Sequence, residues 1–123
     1  MTIAYWMVLV AAILPYVCVT FAKWRRGYDN RAPRTGIEQL DPRRQRAYWA
    51  HLNAFEAFPP FAAAVIIAHL AHASQPAVNG LAVAFVAARV THLFFYLEDM
   101  ATARSLAWTA GIGCVIALFV ISA

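Results

Sequence analysis

Charge is scarce in this sequence. Only 13% of its 123 residues are Asp, Glu, Lys or Arg, against 63% that are hydrophobic, which excludes an ordinary soluble domain and points to lipid as the solvent. Cysteine is nearly absent: Cys18 and Cys114 stand alone in separate apolar runs, without metal-ligand spacing, so they read as small buried hydrophobes and say nothing of a redox compartment. There is no internal repeat or low-complexity tract. The apolar stretches lack the strict apolar/polar alternation of barrel strands, which leaves helices as the way to satisfy every backbone amide in lipid. No basic leader precedes Ile3 and no cleavage site follows Phe21, so the first run is expected to stay as an anchor rather than be removed as a signal. It also contains no acidic residue, which argues against a small multidrug-type transporter, a dimer whose key acid lies deep in the first span.

What is present is four apolar runs, roughly residues 3–22, 57–73, 77–97 and 105–122. Each is near the ~20 residues that a helix needs to cross about 30 Å of hydrocarbon. The fold class expected is all-α, an integral membrane four-helix bundle in one domain, with spans at 3–22, 42–73, 77–97 and 103–122 and a basic loop at 23–41. Eight of the ten basic residues fall between Lys23 and Arg46; the positive-inside rule puts that loop in the cytoplasm and both termini outside. The connection Ser74–Gly80 has no Lys or Arg. Topology accounts for the net charge of +4, and nucleic acid is not expected as a partner.

The second helix begins at Asp41-Pro42, an acidic N-cap followed by proline where its missing amide costs nothing. Running to Ala73 it would be about 48 Å long, so its polar first half stands in or above the headgroup layer. Pro59-Pro60 is expected to bend it, and Pro15 to bend the first helix more mildly. Ala62, Ala63, Ala64, Gly111 and Gly113 are small enough to let helices approach closely.

Polar side chains in such spans are functional candidates. Arg46, Trp49, Asn53 and Glu56 fall within an arc of about 80° on the second helix, while Tyr48 and His51 point elsewhere. Arg89, His92 and Tyr96 share a face of the third helix, and Arg104 opens the fourth. Both faces approach the cytoplasmic boundary and together suggest a site for an anionic ligand. Glu56 keeps two readings at this point, a bundle-holding pair with Arg89 or Arg46 and a ligand contact. His69 and His72, three apart, offer two metal ligands without a third, so packing is the better reading. Phe94 and Phe95 are membrane-belt aromatics.

The stretch Asp29-Asn30-Arg31-Ala32-Pro33-Arg34, followed by the run His51-x-Asn53-x-x-Glu56-x-x-Pro59, resembles a signature of the MAPEG family, the membrane-associated proteins in eicosanoid and glutathione metabolism. A second stretch, from Arg89 through Tyr96 to Arg104-Ser105-Leu106-Ala107-Trp108, resembles that family's other signature, with the tyrosine-to-arginine spacing of its bacterial members. The resemblance covers most of the chain. It implies a left-handed four-helix bundle assembled as a homotrimer in a bacterial inner membrane, with glutathione as cosubstrate bound between neighbouring subunits near the cytoplasmic face.

By the same resemblance, Asn53 and Glu56 match the pair that holds the tripeptide, His51 matches a neighbouring contact, Tyr96 matches a third-helix tyrosine, and Arg104 matches the arginine that stabilises the thiolate. Two positions depart from the pattern: Trp49 stands where arginine is common and His92 where tyrosine is usual. Arg46, Arg25 or Arg26 would then take over carboxylate binding, with Arg89 and His92 completing the site. The function implied is a glutathione transferase or peroxidase acting on a lipophilic electrophile that arrives through the bilayer. The alternative is a non-catalytic relative with a structural or regulatory role.

Overall fold

The computed structural model describes residues 1–123. It contains four α-helices, α1 Ile3–Lys23, α2 Pro42–Leu70, α3 Gln75–Leu97 and α4 Ala101–Val120, plus one turn of 3-10 helix at Ile37–Gln39 and no strand. All four helices are long and apolar enough to cross a membrane. The short connections between α2 and α3 and between α3 and α4 make those neighbours antiparallel.

The packing has a clear layout. α2 and α3 each touch all three other helices, whereas α1 and α4 do not touch one another. The two central helices therefore form the spine, and α1 and α4 lie on opposite flanks. The core lies along the spine, around Phe61, Val65, Val78, Phe85 and Leu118, with the rings of Phe61 and Phe85 stacked at 3.9 Å. α1 contributes Ala4, Ala11, Pro15, Cys18 and Ala22 to the buried side, spaced as one helix face. Such small residues let backbones close in where lipid gives no hydrophobic drive to associate. Of the small residues singled out in the sequence, Ala64 and Gly111 are buried at contacts, while Ala63 and Gly113 face outward.

The N-terminus of α2 forms as expected: Asp41 accepts from the Arg44 backbone N–H at 3.2 Å, with Pro42 in the first turn. Arg44 does more than extend α2. Its Nε pairs with Asp41 at 2.9 Å, and its Nη1 donates to the carbonyls of Phe21 (3.1 Å) and Trp24. A guanidinium thus sits on the unsatisfied carbonyl end of α1, where the helix dipole favours positive charge. At the far end, His69 donates from Nδ1 to the Val65 carbonyl (2.7 Å) and is bonded through Nε2 to Thr2 Oγ1 (2.9 Å). Both ring nitrogens are engaged, and the ring stacks on Tyr5 at 4.1 Å. Asn79 of α3 accepts the Ala4 backbone N–H at 3.0 Å, satisfying the first turn of α1 from a neighbouring helix.

Helix ends differ from the sequence reading. α2 stops at Leu70 rather than Ala73, which makes it about 43 Å long, and α3 starts at Gln75, inside the stretch Ser74–Gly80 read as a connection. Both changes have one cause. His72 adopts a left-handed backbone, φ 56°, and the Ala73 N–H reaches back to the Ala68 carbonyl at 3.0 Å, a Schellman cap that ends the helix abruptly. Pro76 then falls in the first turn of α3, where it is tolerated. α3 ends the same way, with Asp99 at φ 59° and Met100 N–H bonded to the Phe95 carbonyl at 2.9 Å. α1 and α2 remain continuous helices through Pro15, Pro59 and Pro60.

Because His72 is exposed and bears a side chain in a conformation that suits glycine, His72→Gly is expected to stabilise the protein by about 0.5–1 kcal/mol. Thermal unfolding in detergent should show a raised midpoint; a lowered one would mean that the imidazole contributes more than the backbone strain costs.

Candidate functional site

The polar faces of α2 and α3 meet, and the contact is made by one amide. Arg89 is 4% exposed and donates from Nη2 to Asn53 Oδ1 at 2.7 Å, while Asn53 Nδ2 donates to Glu56 at 3.4 Å. Glu56 forms no ion pair with Arg89 or Arg46, which corrects the pairing offered for it above. The reason is geometric: Asn53 and Glu56 are one turn apart on α2, and Asn53 stands between the carboxylate and α3. Its amide can accept on one side and donate on the other, linking a buried cation to an exposed carboxylate. The Arg89 Nε remains buried without a partner.

In front of this bridge lies a cleft of about 440 Å³, lined by Asn53 from α2, His92 and Tyr96 from α3, and Arg104, Ser105, Trp108 and Thr109 from α4. Its size falls in the usual range for small-molecule sites, about 300–1,000 Å³. His92 is buried and meets the Tyr96 ring edge-on at 5.4 Å. The Arg104 guanidinium lies over the other aromatic partner, 4.5 Å from the Tyr96 ring centre. A ring attracts a guanidinium through its quadrupole without occupying it with an anion. Arg104 makes no ion pair within the chain, and the cleft therefore carries a held, uncompensated positive charge.

The structure divides the candidate residues. Asn53, His92, Tyr96 and Arg104 line the cleft, with Arg89 and Glu56 joined to it through Asn53. Arg46 is close by but otherwise engaged: Nη2 donates to the Leu97 carbonyl at 3.2 Å and Nη1 lies 3.7 Å from Asp99. His51 turns away, donating from Nδ1 to the Pro15 carbonyl of α1 at 2.8 Å. Arg25 lines a separate hollow in the α1–α2 loop, and Arg26 is exposed on the same loop. His51, Arg25 and Arg26 thus lie outside the cleft of their own chain, because α1 and α4 occupy opposite flanks.

Three residues of the cleft were not singled out as site residues: Ser105, Trp108 and Thr109. The signal was available for Trp108, which lies four beyond Arg104 and shares its helix face, but not for Ser105 and Thr109, which lie one and five beyond it on an adjoining face. The Ser105 and Thr109 hydroxyls donate to their own helix, to Ala101 (3.1 Å) and Ser105 (3.0 Å) carbonyls, so toward the cleft they offer lone pairs.

A membrane four-helix bundle with a cationic, aromatic-walled cleft between three of its helices is the class that these observations define. The sequence model of the MAPEG family matches residues 3–123, essentially the whole chain, and the chain belongs to that family. It is therefore an integral membrane protein of a family that includes glutathione-dependent enzymes and non-catalytic members. No curated protein and no solved structure matches it.

The Asn53 bridge makes a stability prediction. Asn53→Ala strands the Arg89 guanidinium and is expected to cost about 2–3 kcal/mol. Adding Arg89→Met, which replaces the stranded charge by an apolar side chain of similar length, should restore most of it. Denaturation of the three proteins in detergent checks this; additive losses would show that the two side chains do not depend on one another.

Proposed function

We propose that this protein is a glutathione-dependent membrane enzyme of the transferase or peroxidase type, working as a homotrimer on lipophilic electrophiles or hydroperoxides. The observation that carries the reading is the convergence of Asn53, Tyr96 and Arg104 from three helices on one cleft, with Arg104 stacked on Tyr96 and free of any intramolecular anion. The donor set suits an acidic peptide thiol. Asn53 and the Glu56 carboxylate beside it would hold the amide and amino groups.

Glutathione supplies the nucleophilic or reducing sulfur. A thiol with pKa about 8.5 is mostly protonated at neutral pH, and only the thiolate attacks. Lowering that pKa by about two units takes ~2.7 kcal/mol of preferential stabilisation, within reach of one or two charge-assisted hydrogen bonds in a partly dry site. Arg104 supplies that charge under any relevant condition, and Tyr96, which holds it by its ring, can add its hydroxyl. The exposed Trp108 on α4 gives the cleft an apolar wall toward the bilayer, the direction from which a lipophilic cosubstrate arrives.

Trimer formation fits the same layout. A carboxylate on a membrane helix is costly when it faces acyl chains, and Glu56 is exposed on the single chain; a neighbouring copy would cover it. The basic loop lies in the cytoplasm in this reading, with both termini outside.

A second reading has an observation of its own. Arg43 and Arg46 are held by Glu98 and Asp99 at the α3–α4 turn, and Trp49 stands on the same face of α2, so fewer guanidinium groups stand free for the tripeptide's carboxylates than the catalytic reading needs. This favours a non-catalytic member that uses the polar faces for packing.

Titration calorimetry with glutathione in detergent separates the two, since no heat at millimolar ligand removes the catalytic reading. With binding established, Arg104→Ala is expected to abolish the ultraviolet thiolate absorbance of bound glutathione while oligomeric size is unchanged. A thiolate signal equal to that of the wild type would take this role from Arg104.

A further inference from the structure

The arginines at the loop end of the bundle fall into two groups. Arg43, Arg44 and Arg46 are spent on Glu98, on Asp41 with the end of α1, and on Asp99. Arg25 is not spent. Its Nε is buried without a partner, and its Nη2 packs so closely on Gly36 that a Cβ there would lie 3.0 Å away. Gly36 also has φ 72°, a conformation that glycine adopts freely. The loop is thus shaped to hold one guanidinium at the edge of a polar hollow of about 280 Å³, whose other walls include Tyr28, Asp29 and Thr35.

Tyr28 also lines an apolar groove of about 260 Å³ formed with Val19, Thr20, Lys23 and Trp24 on the last turns of α1. α1 has 21 residues, about 32 Å, so its end lies where hydrocarbon meets headgroups. Trp24 is 78% exposed at that boundary, the level that tryptophan favours. Lys23 sits over the Tyr28 ring at 5.8 Å and makes no ion pair. Lys23 with a groove for a chain, and Arg25 with one carboxylate, therefore share Tyr28 as a common wall at headgroup depth.

We infer that the loop end of α1 is a binding site for one aminophospholipid, its phosphate between Lys23 and Arg25, its ammonium toward Asp29, and an acyl chain in the groove beside Trp24. Charge complementarity selects this occupant: the guanidinium and ammonium of the protein suit a phosphodiester, and Asp29, with one oxygen accepting the Arg31 N–H at 2.8 Å, keeps the other for an amine. The site is separate from the Arg104 cleft, and it stands whether or not the catalytic reading holds.

The test is native mass spectrometry of the full-length protein, purified in detergent and titrated with mixed micelles of phosphatidylethanolamine or phosphatidylglycerol. One phosphatidylethanolamine per chain is expected to persist through delipidating washes. Arg25→Ala and Trp24→Ala should each weaken retention at least tenfold, reading the headgroup and chain halves separately, with helical circular dichroism unchanged. Asp29→Asn should erase the preference for phosphatidylethanolamine over phosphatidylglycerol. Retention unaffected by either Arg25→Ala or Trp24→Ala overturns the site. Displacement of the lipid by inorganic phosphate would show a bare anion site without the acyl groove, and displacement by glutathione would return Arg25 to the thiol site; either result overturns the inference.

Discussion

The bundle depends on how it accommodates a guanidinium in its interior. Arg89 lies on α3, one of the two spine helices, with its charge removed from water and from lipid headgroups. A buried ion that loses its partner destabilises a fold by several kcal/mol, so the position of α2 against α3 is tied to keeping Asn53 in reach. A neutral amide is the partner rather than a carboxylate, which spreads the contact over two residues: Asn53 accepts from Arg89 and hands a donor to Glu56. The same side chain faces the cleft. Stability and site are therefore coupled through one amide, and a ligand that competes for Asn53 acts on the joint between α2 and α3.

The rest of the charge follows a division of labour. Arg44 caps the end of α1 while Asp41 caps the start of α2, so the long loop between them is anchored at both ends. Arg43 and Arg46 tie α2 to the α3–α4 turn. Arg104, the one arginine that lines the cleft, has no intramolecular carbonyl or carboxylate partner and is held instead by an aromatic face. A ring holds the cation without neutralising it, so the charge remains for an anion that enters from outside.

Much of the fold was legible because lipid imposes a simple rule. Four apolar runs of spanning length imply four helices, and the Asp41-Pro42 start of α2 lies where its residue types predict. The helix end at Leu70 was harder to read, since it is set by a left-handed residue that is histidine rather than glycine, whereas α3 ends at Leu97, where its apolar run stops. Helix periodicity grouped Asn53 with Glu56 and His92 with Tyr96, and each pair is in contact in the structure. It grouped Arg46 with them as well, and nothing local could show that Asp99 and the Leu97 carbonyl engage it first.

By itself the sequence determined the class of the molecule: its composition demands lipid, its run lengths demand helices, and its two motifs carry the family. These are local quantities, read one segment at a time. Which partner each polar group takes was decided only by the tertiary structure. Asn53 rather than Glu56 meets Arg89, His51 turns to Pro15, and Arg25 is sequestered beside Gly36, because those outcomes depend on which helices are neighbours. With α1 and α4 on opposite sides of an α2–α3 spine, side chains that share a motif are separated by the width of the bundle, and a hydrogen bond reaches only about 3 Å.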